Sequence, residues 1–161
     1  MIIDSHCHIL PPSFKDRRAE IAQRDATFSE LLSDSTARMA SVEDLLVAMD
    51  NGGIDRAVVM GMGWTDFEIA REVNDYIIQA VSDHPDRLSG LCSVNPVWGE
   101  VAYSEGKRCL SAGLVGIGEL HADTQGFDIT DVEVMAPVME LARSEHMPVL
   151  VHSSEPVGHR Y

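Results

Sequence analysis

The chain has 161 residues, of which 45% are apolar and 24% are charged, and these values are typical of one globular domain spanning residues 1–161. Its 12 Lys and Arg residues against 26 Asp and Glu residues give a net charge of −14, which repels phosphate backbones and anionic lipid surfaces. No apolar run reaches the roughly 18 residues of a membrane span, and the N-terminus lacks a signal-peptide pattern. We therefore expect a small-molecule partner, with no nucleic acid and no membrane.

The cysteines indicate a reducing compartment. There are three of them, Cys7, Cys92 and Cys109, and each lies in an apolar stretch. An odd number of cysteines in such surroundings favours buried, reduced thiols over a disulfide framework. We expect a cytoplasmic protein.

Short apolar runs alternate with segments of helical periodicity along the chain. Runs rich in β-branched or small residues predict strands at residues 2–9, 56–61, 88–95, 114–120 and 148–153. Helices are predicted at 41–53, 66–82, 100–111 and 131–146, where Pro137 either kinks the last helix or marks its first turn. The polar segment 11–40 predicts a long loop or short helices.

This alternation predicts an α/β fold built of parallel β/α units. Five units could form an open sheet or the first five-eighths of a (β/α)₈ barrel, which typically needs ~250 residues. Parallel strands are normally covered by helices, and the sequence offers no helix after the fifth strand. We therefore expect the N-terminal portion of a barrel, truncated after the fifth strand, that self-associates through its exposed strand edges.

The first strand carries the strongest chemical signal. Alternate residues of a strand share a face, so Asp4, His6 and His8 are predicted to project together, with Cys7 on the opposite face. Two imidazoles in one row can bind one cation, and a carboxylate beside them can orient them. The alternative is a polar strand face turned to solvent, but an unpaired Asp and two His residues would be costly to bury.

Three further candidates lie at or just beyond the ends of predicted strands, where ligands gather in parallel α/β folds. Glu119 ends the fourth strand after two glycines, and it is a candidate metal ligand or else a solvated carboxylate. His121 shares its face if the strand continues, and we expect it on the substrate side. His152 ends the fifth strand and is a candidate ligand or a hydrogen-bonded boundary residue.

Nitrogen and oxygen ligands without thiolates suit Zn²⁺ best, with Mn²⁺ or Fe²⁺ as possible alternatives. A metal held by three or four such groups can activate water or polarise a carbonyl, which indicates hydrolytic or carboxylate-handling chemistry. The sequence contains neither a phosphate-binding loop of the GxxxxGK type nor a GxSxG elbow.

Three motifs together resemble one known family. Residues 3–11 (IDSHCHILP), 116–120 (GIGEL) and 149–159 (VLVHSSEPVGH) are similar to the first, fourth and fifth strand regions of the amidohydrolase superfamily, especially its amidohydrolase-2 branch of metal-dependent TIM-barrel hydrolases and decarboxylases. The resemblance implies that His6, His8 and His152 are metal ligands, that Glu119 takes the place of a residue that bridges two metals in several members, and that Asp4 supports the ligands.

The family's further residues, a histidine after strand six and an aspartate ending strand eight, have no counterpart here, so no general base can be named. The resemblance implies a metal-dependent hydrolase in which activated water attacks a C–N or C–O bond. The alternatives are a nonoxidative decarboxylase of the same fold and an inactive remnant or interaction domain, while a TatD-type deoxyribonuclease is disfavoured by the charge of −14. We expect the chain alone to hold metal poorly and to turn over little.

Overall fold

The structure, a computed structural model, describes residues 1–153. The end of the motif at 149–159, and the expectation that no helix follows the fifth strand, concern residues outside this part of the chain. Within residues 1–153, strands and helices alternate as the hydrophobic pattern predicts. None of the helices described is long and apolar enough to cross a membrane.

Five strands form one parallel sheet in the order β1-β2-β3-β4-β5 within the described residues. Each strand lies inside the range predicted for it, and the prediction of parallel β/α units is confirmed. The strands are β1 Ile3–His8, β2 Arg56–Met60, β3 Leu88–Cys92, β4 Gly116–Leu120 and β5 Val149–Val151.

Helices connect the successive strands. They are α1 Arg18–Arg24, α2 Ala26–Leu32, α3 Val42–Gly52, α4 Phe67–Asp83, α5 Glu100–Ser111, α6 Ala122–Gln125 and α7 Val132–Ser144, with 3₁₀ turns at Pro12–Phe14 and Pro96–Trp98. The segment 11–40 thus contains short helices, one of the two forms expected for it.

Local sequence explains where the long helices begin. Ser41 and Asp44 form a complete capping box at the start of α3, and the side chain of Asp66 accepts a hydrogen bond from the backbone of Ile69 at the start of α4. Helix α7 begins five residues before Pro137, so the alternative that this proline marks the first turn is wrong.

The core lies between the sheet and the helices on its outer side. Side chains such as Ile77 of α4, Leu88 of β3 and Ile117 of β4 are essentially inaccessible to solvent. Gly118 has a φ of +142°, and a Cβ built on it would lie 2.7 Å from the carbonyl oxygen of Leu150. The close approach of β4 to β5 therefore requires glycine there, as the sequence indicated.

The insertion after β1 packs against the loop that follows β2. Asp25 is buried, and its Oδ2 accepts hydrogen bonds from the backbone N–H groups of Thr65 and Asp66 at 2.6 and 2.9 Å. Thr27 donates from its hydroxyl to the carbonyl of Gly63 at 2.5 Å. The insertion therefore braces the carboxyl end of the sheet, where the candidate site residues lie.

The three cysteines are buried and form no disulfide. This agrees with the prediction of reduced thiols.

Candidate metal centre

His6 and His8 on β1 present their ring nitrogens to one point. Their Nε2 atoms lie 3.1 Å apart. The Nδ1 of His8 lies 3.0 Å from the carbonyl oxygen of Gly61, a bond in which the ring must be the donor, so the lone pair of His8 is on Nε2. Burial lowers the pKa of His8, although the nearby charge of Glu119 opposes this shift, and the ring is neutral at pH 7 as metal ligation requires.

Glu119, the fourth residue of β4, lies at the centre of the cluster. Its side chain is 6% exposed, and its Oε2 lies 3.2 Å from Nε2 of His6 and 3.5 Å from Nε2 of His8. Burial alone would raise the pKa of Glu119, but contact with His121 and the charges of His121, His6 and His8 outweigh it and hold the pKa at about 2. Glu119 is therefore an ionised carboxylate at neutral pH.

His121 and His152 contact the same carboxylate. Nδ1 of His152 lies 3.2 Å from Oε1 of Glu119, and Nε2 of His121 lies 3.2 Å from Oε2. The two imidazole rings are 5.0 Å apart at an angle of 35°. All four histidines named as site candidates are thus gathered around Glu119.

The donor set fits a cation. The ligand atoms of His6, His8 and Glu119 lie within 4.8 Å of one another, as do those of Glu119, His121 and His152. Both ring nitrogens of His121 are buried; Nε2 lies 3.2 Å from Oε2 of Glu119, whereas Nδ1 has no hydrogen-bond partner among residues 1–153. A buried imidazole in this condition is costly unless something else binds it, and a divalent cation would do so.

Asp4 lies beside both Cys7 and the backbone of His6. Between Asp4 and Cys7, β1 has one residue more than the matching stretch of β2, so strict alternation of faces fails there. Burial and the adjacent Asp4 carboxylate raise the pKa of the Cys7 thiol to about 12, so the Asp4 carboxylate lies beside that thiol. Asp4 contacts a candidate ligand through the backbone, because its Oδ1 accepts a 3.2 Å hydrogen bond from the N–H of His6.

Cys7 itself belongs to the hydrophobic core and not to either ligand cluster described above. This agrees with its predicted orientation away from the metal.

Two contributors to the site were missed from sequence. One is the backbone carbonyl of Gly61, which orients His8. Every residue has such a carbonyl, so the residue type does not indicate this role. The other is Gln125, whose side chain hydrogen-bonds the backbone of His121. The spacing of four residues between His121 and Gln125 on a short helix was the available signal.

An apolar groove lies away from this cluster, between α7 and β5. It has a volume of about 640 Å³, and its lining includes Val132, Met135, Met139, Val149 and Val151. The titratable cluster around Glu119 contributes nothing to it, so we assign the chemistry to the cluster and not to the groove.

Almost the whole chain matches one known protein family. The sequence profile of the amidohydrolase family, type 2, matches residues 3–160. The chain belongs to the amidohydrolase-2 family. Its five parallel strands and helices are accordingly the first part of a TIM-barrel fold, which confirms the fold expected from sequence.

This amidohydrolase-2 chain is similar in sequence or in structure to several characterised proteins. It is 33% identical over 92 residues to a 2-amino-3-carboxymuconate-6-semialdehyde decarboxylase of Dictyostelium discoideum, an alignment that covers 56% of this chain and 25% of that protein. A manganese-bound 5-carboxyvanillate decarboxylase of Novosphingobium aromaticivorans superposes with a TM-score of 0.73 at 20% identity, over 98% of this chain and 51% of that one.

A 4-oxalomesaconate hydratase of Rhodopseudomonas palustris superposes with a TM-score of 0.66 at 18% identity, over 96% of this chain and 53% of that one. The chain therefore spans about half the length of these solved structures. At these identities the two superpositions establish the fold alone.

Proposed function

We propose that this chain carries the metal-binding part of a metal-dependent enzyme that acts on a small carboxylated substrate, and that its reaction is a nonoxidative decarboxylation. The observation that carries the metal site is the convergence of imidazole nitrogens on Glu119, with contacts of 3.2 to 3.5 Å. The choice of decarboxylation is supported by the 33% identity to a decarboxylase.

In this proposal His6, His8, Glu119 and His152 hold a divalent cation. Their nitrogen and oxygen donors suit Zn²⁺, and Mn²⁺ is the cation bound in the 5-carboxyvanillate decarboxylase of the same fold. When bound, the cation supplies a Lewis acid that can hold a carboxylate-bearing substrate.

The protein's own groups prepare this site. The Gly61 carbonyl orients His8, and Asp4 holds the backbone of His6. The side chains of Glu119 and His121 are 6% and 4% exposed, so water is largely excluded around them. Low exposure strengthens the electrostatic interactions of the carboxylate with whatever cation it faces.

His121 was expected on the substrate side, but its position favours a place in the metal-binding set. Its Nε2 is as close to Glu119 as that of His6, at 3.2 Å in both cases. Its side chain is also far less exposed than the 44% of His6, which leaves little surface for a substrate. We therefore propose that His121 binds metal together with Glu119 and His152.

Hydrolysis of a C–N or C–O bond, the reaction expected first from sequence, uses the same site with a different substrate. The two reactions are separated by their products, because decarboxylation releases CO₂ and hydrolysis consumes water. To test the proposal, the 161-residue chain is loaded with Mn²⁺ or Zn²⁺. It is then incubated with 5-carboxyvanillate or with 2-amino-3-carboxymuconate 6-semialdehyde, the compounds named for the two similar decarboxylases, and the release of CO₂ is measured.

We expect slow, metal-dependent CO₂ release that the His6→Ala/His8→Ala double variant abolishes. Metal binding without CO₂ release from either probe would contradict decarboxylation of these substrates and favour the hydrolase or the inactive interaction domain. Failure of the wild-type chain to bind either cation would contradict the metal site itself. A cytoplasmic location stays a prediction that the unpaired, buried cysteines support.

A further inference from the structure

We propose that Gln125 is a positioning residue of the metal centre, whose side-chain amide ties the ends of β2, β3 and β4 together and so holds His121 beside Glu119. The inference rests on the proposed metal site, and it concerns a residue that touches neither Glu119 nor a substrate in the contacts described. It is based on three hydrogen bonds that the side-chain amide of Gln125 makes with backbone groups.

The amide of Gln125 reaches three different strand ends. Its Nε2 donates to the carbonyl oxygen of Trp64, after β2, and to that of Val94, after β3, each at 3.0 Å. Its Oε1 accepts from the backbone N–H of His121, directly after β4, at 2.8 Å. One side chain therefore connects three consecutive strand ends at the side of the sheet where the site lies.

The orientation of this amide is determined by its partners. Two carbonyl oxygens can be met only by the NH₂ end, and a backbone N–H only by the oxygen. Gln125 is 4% exposed, so each of these bonds is shielded from water. Loss of the amide would leave two buried carbonyls and one buried N–H without partners, at a cost that water cannot easily offset.

The backbone of His121 is held on both sides by this one residue. Its N–H donates to Oε1 of Gln125, and its carbonyl oxygen accepts from the backbone N–H of Gln125 at 2.9 Å. The ring of His121 contacts Glu119 through Nε2 at 3.2 Å, whereas its Nδ1 is buried and has no hydrogen-bond partner among the described residues. The placement of that ring beside Glu119 therefore depends on this contact and on how its backbone is fixed.

Neighbouring loops pack closely against the clamp, by which we mean the Gln125 side chain with its three backbone partners. A Cβ built on Gly63 would lie 2.7 Å from both Oε1 of Gln125 and the backbone N of His121, so the loop after β2 is in direct contact with the clamp. The hydroxyl of Thr124, the residue before Gln125, lies 2.6 Å from that of Thr27 on α2. A shift of Gln125 would thus be transmitted to His121 instead of being absorbed by empty space.

The decisive variant is Gln125→Glu, which keeps the shape of the side chain and replaces its NH₂ donor by an oxygen facing the carbonyls of Trp64 and Val94. The matched control is Gln23→Glu, the same change at an exposed position of α1. Two readouts are needed: hydrogen exchange of the His121 amide in the metal-free chain, and Co²⁺ binding followed by the visible absorption spectrum of the complex.

We expect the His121 amide of the wild type to be strongly protected and Gln125→Glu to speed its exchange at least tenfold, because repulsion between the new carboxylate oxygen and the carbonyls of Trp64 and Val94 would displace the oxygen that accepts from His121. We also expect Gln125→Glu to weaken Co²⁺ binding by about 10- to 100-fold, as removal of residues that support metal ligands typically does, and to change the spectrum. The control variant should match the wild type in both measurements. A Gln125→Met variant, apolar and of similar length, should give the same losses if Gln125→Glu does not fold.

Unchanged Co²⁺ affinity and spectrum in a folded Gln125 variant would overturn the positioning role, and so would rapid exchange of the His121 amide in the wild type. A wild-type chain that binds no Co²⁺, Mn²⁺ or Zn²⁺ would instead overturn the proposed metal site. In that event the exchange of the His121 amide still decides whether Gln125 holds the backbone of His121.

Discussion

Oε2 of Glu119 on β4 lies 3.2 Å from Nε2 of His6 on β1, although β2 and β3 separate the two strands. Neighbouring strands are about 4.8 Å apart, so a flat sheet would hold these two backbones about 14 Å apart. The side chains of Glu119 and His6 come within 3.2 Å of each other because the sheet curls and brings β1 and β4 closer together. The curvature of the sheet thus creates the cluster on which the proposed function depends.

The first prediction concerns the two histidines of β1. His6→Ala/His8→Ala removes two of the proposed ligands, and we expect the variant to carry less zinc or manganese than the wild type, which itself should hold metal weakly, when both are equilibrated with the same metal-containing buffer. Plasma mass spectrometry of the protein after dialysis measures this content. His84→Ala, outside the cluster, is the matched control and should keep wild-type metal content. Equal metal content in the double variant and the wild type would exclude these two histidines as ligands.

The second prediction concerns pH and Glu119. Because its pKa in the folded chain, about 2, is below the ordinary value of 4.5, the ionised carboxylate stabilises the fold above pH 4.5, and this contribution is lost as pH falls towards 2. In metal-free buffer, the wild type should therefore lose more unfolding free energy between pH 6 and pH 3 than Glu119→Gln does. Urea unfolding at the two pH values measures the difference.

Glu133→Gln, at an exposed position in the first turn of α7, is the control and should lose stability as the wild type does. Parallel losses in Glu119→Gln and the wild type would mean that Glu119 does not interact with the surrounding histidines as the structure describes.

The third prediction separates the two roles considered for His121. If it binds metal with Glu119 and His152, His121→Ala should weaken Zn²⁺ or Mn²⁺ affinity roughly tenfold or more, the lower end of the effect typical for residues that support a metal site. If it acts only on the substrate side, affinity should stay unchanged while turnover falls. Competition titration with a chromophoric chelator gives the affinity directly.

The fourth prediction concerns association of the chain with itself. Ile2 and Ile3 at β1 are 57% and 50% exposed, and Val132 beside the groove of α7 and β5 is 80% exposed. Unpaired strand edges with apolar side chains recruit other chains. We expect the sedimentation coefficient to rise with concentration and Ile3→Lys to reduce that rise.

Val47→Lys places the same charge at a 62% exposed position of α3, which is not part of the sheet, and should leave association unchanged. A wild-type chain that sediments as a monomer at every concentration would contradict self-association through these edges.

Much of the architecture could be predicted from sequence because its causes are local. Strand and helix periodicity depend on which face of an element meets the core, and the capping box of Ser41 and Asp44 is formed by residues three apart. The parallel order of the strands follows from their alternation with helices. The candidate ligands could also be identified from sequence, because the carboxyl ends of parallel strands share one edge of the sheet. They are His6, His8, Glu119 and His152.

The tertiary structure alone decided the rest. The extra residue in β1 interrupts the alternation of faces between Asp4 and Cys7, which the sequence pattern assumes to be unbroken. The burial of His121 and its clamp by Gln125 depend on loops after β2, β3 and β4, which are distant in sequence and meet only when the sheet is assembled. Residue types and local periodicity thus specified the elements and the candidate ligands, whereas the curvature of the sheet and the contacts between its loops determined how those ligands meet.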